Sequence, residues 1–196
     1  HKMCINIYMS EILYYSNNCN NCKKLLQLIT GAIYDQEGNV QFVHEERYEL
    51  IMDLIEQRKH SLVAFNWKHE RDNLIDLAEK RKLSYAVIDG DVNVKERKAI
   101  VDRYQNGHIQ VLFAHPQSAG HGLTLTKGTC TIWSSPTYNA EHFQQFNRRI
   151  HRAGQTQKTE TILIAARDTW EEAVYEKLNT KMGRMENLLK VLCQLS

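Results

Sequence analysis

The stretch that decides the fold runs from residue 61 to residue 114 and reads SLVAFNWKHERDNLIDLAEKRKLSYAVIDGDVNVKERKAIVDRYQNGHIQVLFA. Three short apolar runs, at 61–66, 84–89 and 109–114, are separated by longer patterns in which apolar and charged residues mix. The runs are rich in Val, Ile, Leu and Phe and show no regular polar alternation. Continuous apolar runs of this length are typical of strands that are covered on both faces.

The same alternation continues toward the C-terminus, with apolar runs CTIWS at 130–134 and TETILIA at 159–165. Between the runs, apolar residues recur at helical spacing. The predicted helices are Glu70–Lys82, Val94–Gln105 and Glu141–His151. The sequence therefore predicts an α/β domain over residues 61–167, with a mostly parallel sheet and helices on both faces.

The two flanking segments have a different pattern. Residues 1–60 are predicted to form a helical lead-in packed on the domain, with helices at Asn21–Thr30 and Glu45–Lys59 and a turn or short hairpin at Gly31–Val43. Residues 168–196 are predicted to form a helical extension with a break at Gly183.

Composition sets limits on the class of protein. The chain has 196 residues, 25 basic and 23 acidic side chains and a formal net charge of +2, which is too balanced to indicate nucleic-acid binding by itself. Cys19 and Cys22 form a lone CxxC, which is at most half of a zinc site, so we predict no metal site and no disulfide framework. We see no signal peptide and no apolar run long enough to span a membrane. We expect an intracellular protein, cytoplasmic if its source is a bacterium or phage and nuclear if its source is a eukaryote.

The segment QQFNRRIHRAGQ at 144–155 contains two arginines, Arg149 and Arg152, at a spacing that would place both on one helix face. Two converging guanidinium groups suit the γ-phosphoryl group of a nucleotide, because they neutralise charge on its oxygens. Such a pair alone is more typical of a solvated, basic helix end.

A second segment, SAGHGLTLT at 118–126, is rich in glycine. Glycines allow a backbone to approach a phosphate closely, and the hydroxyls of Ser118 and Thr126 can donate to phosphate oxygens. Without further context, this segment is equally typical of an ordinary turn between a strand and a helix.

Together these segments resemble the Swi/Snf family of ATP-dependent DNA translocases. Residues 149–155 resemble motif VI, R-A-H-R-I-G-Q, and residues 118–126 resemble motif V. The lead-in at 136–145 matches at Pro136, Asn139 and Gln145 but departs at three positions of the family pattern, which are Thr137, Tyr138 and Ala140. Residues 88–104 and 62–65 resemble two further family blocks in the family's order.

The resemblance implies a RecA-like second lobe in which Arg149 and Arg152 act as arginine fingers. It implies ATP contacts for Gly120, Gly122, Gln145 and Gln155, and contacts with the DNA backbone for Asn66, Lys68, Ser118 and Thr126, with Trp67 beside them.

The partners implied are a first lobe of the same motor and double-stranded DNA. ATP and Mg²⁺ would be bound mainly by that first lobe, because this chain contains neither a G-x-x-x-x-G-K-[ST] loop nor an acidic Mg²⁺-binding box. We therefore expect the chain alone to be inactive as an ATPase. Two alternatives remain at this point: the second lobe of an RNA helicase, and a non-catalytic scaffold that keeps the fold.

Overall fold

The computed structural model describes residues 2–5, 26–35, 37–120 and 122–194, and along 2–5 and 184–194 it describes the backbone only. The strands are β1 (Lys2–Ile5), β2 (Ala32–Tyr34), β3 (Val40–Phe42), β4 (Ser61–Ala64), β5 (Tyr85–Ile88), β6 (Val111–Ala114), β7 (Cys130–Trp133) and β8 (Glu160–Ala166). The helices are α1 (Glu46–Glu56), α2 (Lys68–Lys80), α3 (Val94–Gln105), α4 (Ala140–Asn147) and α5 (Trp170–Gln194).

The main sheet contains six strands in the order β1-β8-β7-β4-β6-β5, and every neighbouring pair is parallel. The five strands predicted from the apolar runs are all present, and the three helices predicted between them are present as α2, α3 and α4. The prediction of an α/β fold with a parallel sheet is confirmed.

Alternating side chains of the strands build a separate hydrophobic core on each face of the sheet. Leu62 and Ala64 of β4 belong to the core that includes residues of α3, α4 and α5. Val63 and the adjacent Phe65 belong to the core that includes residues of α1 and α2. Both faces of the sheet are therefore buried, which explains why the strands lack polar residues at alternate positions.

The N-terminal segment departs from the prediction of a helical lead-in. Lys2–Ile5 form β1, which extends the main sheet by pairing with residues 163–166 of β8. The predicted hairpin is present as β2 and β3, and the second predicted helix is present as α1. Of the first predicted helix, only residues 26–29 are described as helical, and residues 21–25 lie outside the described part of the chain.

The predicted break at Gly183 is wrong, because α5 runs without interruption from Trp170 to Gln194. A glycine lowers helix stability by less than the packing of one helical face contributes, so the helix continues through it. The sequence also predicts an apolar stripe after Gly183, formed by Leu188, Leu189, Leu192 and Leu195, and these residues lie outside the described side chains. Among the described helices, none has both the length and the apolar character needed to cross a bilayer.

Candidate functional site

The two predicted finger arginines lie in a turn after α4, and not on the helix that the sequence predicted. Asn139 caps the start of α4, where its Oδ1 accepts hydrogen bonds from the N–H groups of Glu141 and His142 at 3.0 and 3.1 Å. The helix ends at Asn147. The N–H of Arg149 then donates to the Phe146 carbonyl at 3.0 Å, three residues back, and this tighter spacing replaces the α-helical pattern.

The turn nevertheless brings the two guanidinium groups together. The Nη1 atoms of Arg149 and Arg152 both donate to the carbonyl oxygen of Leu123, through long hydrogen bonds of 3.5 and 3.4 Å. Arg152 also donates to Thr124 Oγ1 at 3.2 Å. Arg149 is only 8% exposed, whereas Arg152 is exposed. Burial and then the neighbouring charge of Arg152 lower the pKa of Arg149, so an anion at this point would be bound favourably.

Gln155 connects the turn that carries Arg149 and Arg152, here called the arginine turn, to the glycine-rich segment. Its Nε2 donates to the carbonyls of Thr126 and Gly128 at 2.9 and 3.0 Å, and its Oε1 accepts from the N–H of Gln157 at 2.9 Å. The amide therefore has a structural task, and its contact with ATP remains a prediction.

The other predicted ATP ligands, Gln145, Gly120 and Gly122, differ in their hydrogen bonds and backbone conformation. Gln145 donates to Glu141 Oε1 at 2.8 Å, within its own helix. Gly120 ends a short 3₁₀ turn over Ser118–Gly120. Gly122 has a φ of +65°, which favours glycine, and a Cβ added there would meet no atom of the described residues within 4 Å. The backbone at Gly122 is thus accessible to a ligand, in the same segment that carries Leu123.

Three of the four predicted DNA ligands, Asn66, Lys68 and Ser118, line one cleft of about 370 Å³. The cleft lies where β4, β5 and β6 end, and Lys68 is exposed at its edge. Thr126 does not line it. Its hydroxyl accepts a hydrogen bond from Gln105 Nε2 at 3.1 Å, beside the segment that Gln155 holds.

Glu70 holds the loop that carries Asn66 and Trp67, and sequence reasoning missed it. Its carboxylate is fully buried and accepts hydrogen bonds from the N–H groups of Asn66 and Trp67, at 2.7 and 3.0 Å. The hydroxyl of Ser134, at the end of β7, donates to the other carboxylate oxygen. Glu70 reaches back to the N–H that precedes α2, as the Glu of a capping box does, but Trp67 stands where that motif has Ser, Thr, Asp or Asn, so the sequence carries no capping signature for Glu70.

Asn66 joins the same two loops from the other side. Its Nδ2 donates to the carbonyl and the hydroxyl of Ser135, each at 3.0 Å. The loop after β4 and the loop after β7 are therefore held as one unit. The amide of Asn66 has internal partners, and its contact with DNA remains a prediction.

The arginine turn and the cleft are on different sides of the domain. The cleft residues follow the carboxyl ends of the strands, whereas Gln155 binds Gly128 O, just before β7 begins. The N–H of Thr129 also donates to the carbonyl of His60, which directly precedes β4. Residues 118–128 connect the two regions, because they start at the cleft with Ser118 and reach the arginines at Leu123.

The described side chains fit only part of the chemistry of ATP and Mg²⁺. Arg149 and Arg152 provide cationic donors that suit a γ-phosphate. Within the described residues, no group of three or more His, Cys, Asp or Glu side chains is arranged for a metal ion.

The helicase conserved C-terminal domain family matches residues 46–154 of the chain. Protein p41 of Acyrthosiphon pisum secondary endosymbiont phage 1 is 30% identical over 178 residues, which cover 86% of this chain and 36% of that protein. The mouse chromodomain-helicase-DNA-binding protein 1-like is 32% identical over 124 residues, which cover 63% of this chain and 14% of that protein.

A third relative, CHROMATIN REMODELING 24 of Arabidopsis thaliana, is 31% identical over 142 residues, which cover 70% of this chain and 13% of that protein. The matched regions thus span 36% or less of these curated relatives. Among solved structures, the C-terminal part of the Fun30 ATPase domain matches with a TM-score of 0.62 and 19% identity, over 66% of this chain and 44% of that chain. This likeness shows that the two proteins share a fold.

Proposed function

Because this chain belongs to the helicase conserved C-terminal domain family and is a RecA-like C-terminal lobe of the Swi/Snf type, we propose that it is the second motor lobe of an ATP-dependent translocase on double-stranded DNA. The lobe supplies Arg149 and Arg152 to an ATP molecule that a first lobe holds. The cleft with Lys68 and Ser118 contacts the DNA backbone.

The convergence of Arg149 and Arg152 on the Leu123 carbonyl carries the proposal. Two guanidinium groups that converge on one backbone carbonyl through long hydrogen bonds lie close enough together to bind one phosphoryl group, where each would gain a charge-assisted hydrogen bond. Arg152 is exposed, so a partner lobe could reach it. Neutralising the charge that develops on the transferred phosphoryl group is what arginine fingers contribute to hydrolysis.

The position of the cleft supports the proposed DNA contact. An exposed lysine and a hydroxyl lie together in a groove formed by three loops at one end of the sheet. Contacts of this kind bind the phosphates and not the bases, so they suit a motor that moves along DNA without regard to sequence. Residues 118–128 link this cleft to the arginine turn, because the segment begins at the cleft with Ser118 and the carbonyl of Leu123 accepts hydrogen bonds from Arg149 and Arg152.

ATPase measurements with an added first lobe of the same motor test the proposal. We expect little hydrolysis by this chain alone, and DNA-stimulated hydrolysis when both lobes are present. Arg149→Ala and Arg152→Ala should each reduce turnover by about 10³-fold or more while nucleotide binding is retained. Arg148→Ala is the matched control, since Arg148 is exposed at the end of α4.

Three results would contradict the proposal. Strong hydrolysis by this chain alone would exclude a divided site. Unchanged turnover in both arginine variants would favour the scaffold alternative. Stimulation by duplex RNA but not by duplex DNA would favour an RNA helicase.

A further inference from the structure

The cleft contains an internal ion pair between Arg71 and Asp89. Nη1 of Arg71 donates to Asp89 Oδ2 at 2.8 Å, and both residues line the cleft together with Lys68 and Ser118. The side chains of Arg71 and Asp89 are 25% and 16% exposed. The pair is thus partly open to whatever enters the cleft.

The charges around the cleft are balanced before any ligand binds. Its lining includes two cations, Lys68 and Arg71, and two carboxylates, Asp89 and Asp91. His115 also lines the cleft, but burial lowers its pKa, so it adds little positive charge at neutral pH. A backbone phosphate would meet no net attraction here while Asp89 occupies the guanidinium group of Arg71.

Arg71 already has the geometry of a phosphate ligand. Its Nε donates to Asp72 Oδ1 at 2.9 Å while Nη1 is directed to Asp89, so the guanidinium group is held from two sides. The Nη1 donor that binds Asp89 belongs to a side chain that lines the cleft. The two non-bridging oxygens of a DNA phosphodiester accept the same hydrogen bonds as a carboxylate and, like a carboxylate, share one negative charge.

We propose that Arg71 is a phosphate-binding residue whose guanidinium group is bound to Asp89 in the absence of DNA. When the duplex enters the cleft, the guanidinium group exchanges the Asp89 carboxylate for a backbone phosphate. This inference rests on the proposed function, because it assigns the DNA contact of the same cleft to an additional residue. Asp89 thereby opposes DNA binding, and removal of its charge should increase the affinity for DNA.

Asp89→Asn is a suitable variant because it changes charge and little else. Asp89 Oδ1 accepts the N–H of Asp91 at 3.0 Å, and an asparagine keeps an oxygen at that place. Loss of fold would weaken binding, so an increase in affinity could not arise from damage to the structure.

The experiment measures binding of this chain to a fluorescent DNA duplex over a range of salt concentrations, for the wild type, Asp89→Asn, Arg71→Gln and the double variant. We expect Asp89→Asn to tighten binding roughly five- to tenfold at low salt and to steepen the slope of log K against log salt by about 0.9, the value of one added phosphate contact. In the Arg71→Gln background, the same change should leave affinity and slope nearly unaltered. Asp91→Asn removes an equal charge from an exposed position and should have a smaller effect than Asp89→Asn.

The possible results separate the exchange from the proposed function. An equal gain from Asp89→Asn with and without Arg71 would overturn the exchange, because Asp89 would then act only by its own charge. Wild-type binding that does not respond to Asp89→Asn would also overturn it, while leaving DNA binding intact. Absence of duplex binding by every variant, all folded, would overturn both the exchange and the DNA contact of the cleft.

Discussion

Arg47 and Glu171 form an ion pair inside the protein, with 2.7 Å between Nη2 and Oε2, although the residues are separated by 124 positions. Neither side chain is exposed to solvent. Nη2 of Arg47 also donates to the Ile29 carbonyl at 3.1 Å, and Glu171 Oε2 accepts the N–H of Ala166 at 2.8 Å. Burial opposes the charge of Arg47, but the carboxylate of Glu171 outweighs it and raises the pKa of the guanidinium group. The pair joins α1, the end of β8 and the first turn of α5.

Glu171→Gln should lower the free energy of unfolding by about 3–5 kcal/mol, because it leaves the buried charge of Arg47 without its counter-ion. Urea denaturation of the chain followed by circular dichroism measures this. Glu176→Gln, which changes an exposed residue of the same helix, should alter stability by less than about 0.5 kcal/mol. Equal effects of the two substitutions would contradict the structural importance of the pair.

The second prediction concerns the buried His69 and the pH dependence of stability. The Thr30 hydroxyl donates to backbone carbonyls, so Thr30 Oγ1 accepts from His69 Nε2 at 2.9 Å. The Tyr34 hydroxyl then donates to Nδ1 at 3.0 Å, which fixes a neutral imidazole. Burial lowers the pKa of His69 from its ordinary value of 6.5.

A histidine whose pKa is lower in the folded state stabilises the fold fully above its unfolded pKa, and this contribution is lost as pH falls below about 6.5. We expect urea denaturation to show lower stability at pH 5.5 than at pH 7.5, with a smaller difference in His69→Gln. His108→Gln, at an exposed position, is the control. An identical pH dependence in wild type and His69→Gln would contradict the prediction.

The third prediction concerns the contact between Gly128 and Tyr104. A Cβ at residue 128 would lie 2.6 Å from the Tyr104 hydroxyl and 2.7 Å from Ile150 Cδ1. Gly128→Ala should therefore destabilise the protein by about 1–3 kcal/mol. The Tyr104 hydroxyl is buried and has no hydrogen-bond partner within the described residues, so Tyr104→Phe should be close to neutral. The double variant should recover part of the loss, and strictly additive effects in thermal denaturation would contradict this contact.

The fourth prediction concerns the Gln155 amide. Gln155→Glu keeps the shape of the side chain but replaces the Nε2 donors by an oxygen that faces the carbonyls of Thr126 and Gly128. We expect a loss of about 1–3 kcal/mol in unfolding free energy, and faster hydrogen exchange at residues 123–128. Gln157→Glu introduces the same charge at an exposed position and should have little effect on either measurement.

The fifth prediction uses the uninterrupted course of α5. A Cβ at residue 183 would meet none of the described atoms within 4 Å, and the position is inside a helix. Gly183→Ala should raise the free energy of unfolding by about 0.5–1 kcal/mol, because alanine loses less backbone freedom on folding. A decrease in the thermal midpoint would indicate that the helix does break at this residue.

The parts of the fold that sequence predicted are those with a local cause. The helix predicted at Val94–Gln105 has those bounds in the structure, because Asn93 caps it by accepting the N–H of Glu96 at 2.9 Å. Both faces of the sheet are covered, so each strand needs apolar residues at successive positions. This pattern is visible in each apolar run by itself. The placement of Lys68 and Ser118 in one cleft follows from the same parallel arrangement.

The parts that sequence did not predict depend on distant partners. Lys2–Ile5 form a strand only because residues 163–166 offer a free edge, and four residues carry too little pattern to reveal this. The spacing of Arg149 and Arg152 is helical, yet the backbone there forms a turn. The guanidinium groups of the two arginines meet because both donate to the carbonyl of Leu123. The Arg71–Asp89 pair joins α2 to the end of β5, and a sequence does not show which carboxylate an arginine will meet.

The positions of β8 and β1 at one side of the sheet have a practical consequence for shortened versions of this protein. The family match covers residues 46–154, and a protein trimmed to those limits would lack both β1 and β8. The backbone N–H and C=O groups of β7, a fully buried apolar strand, would then form an open edge. Such edges template association between chains, so the trimmed protein should aggregate during expression. Keeping residues 155–166 restores β8 beside β7, and keeping Lys2–Ile5 covers the other side of β8.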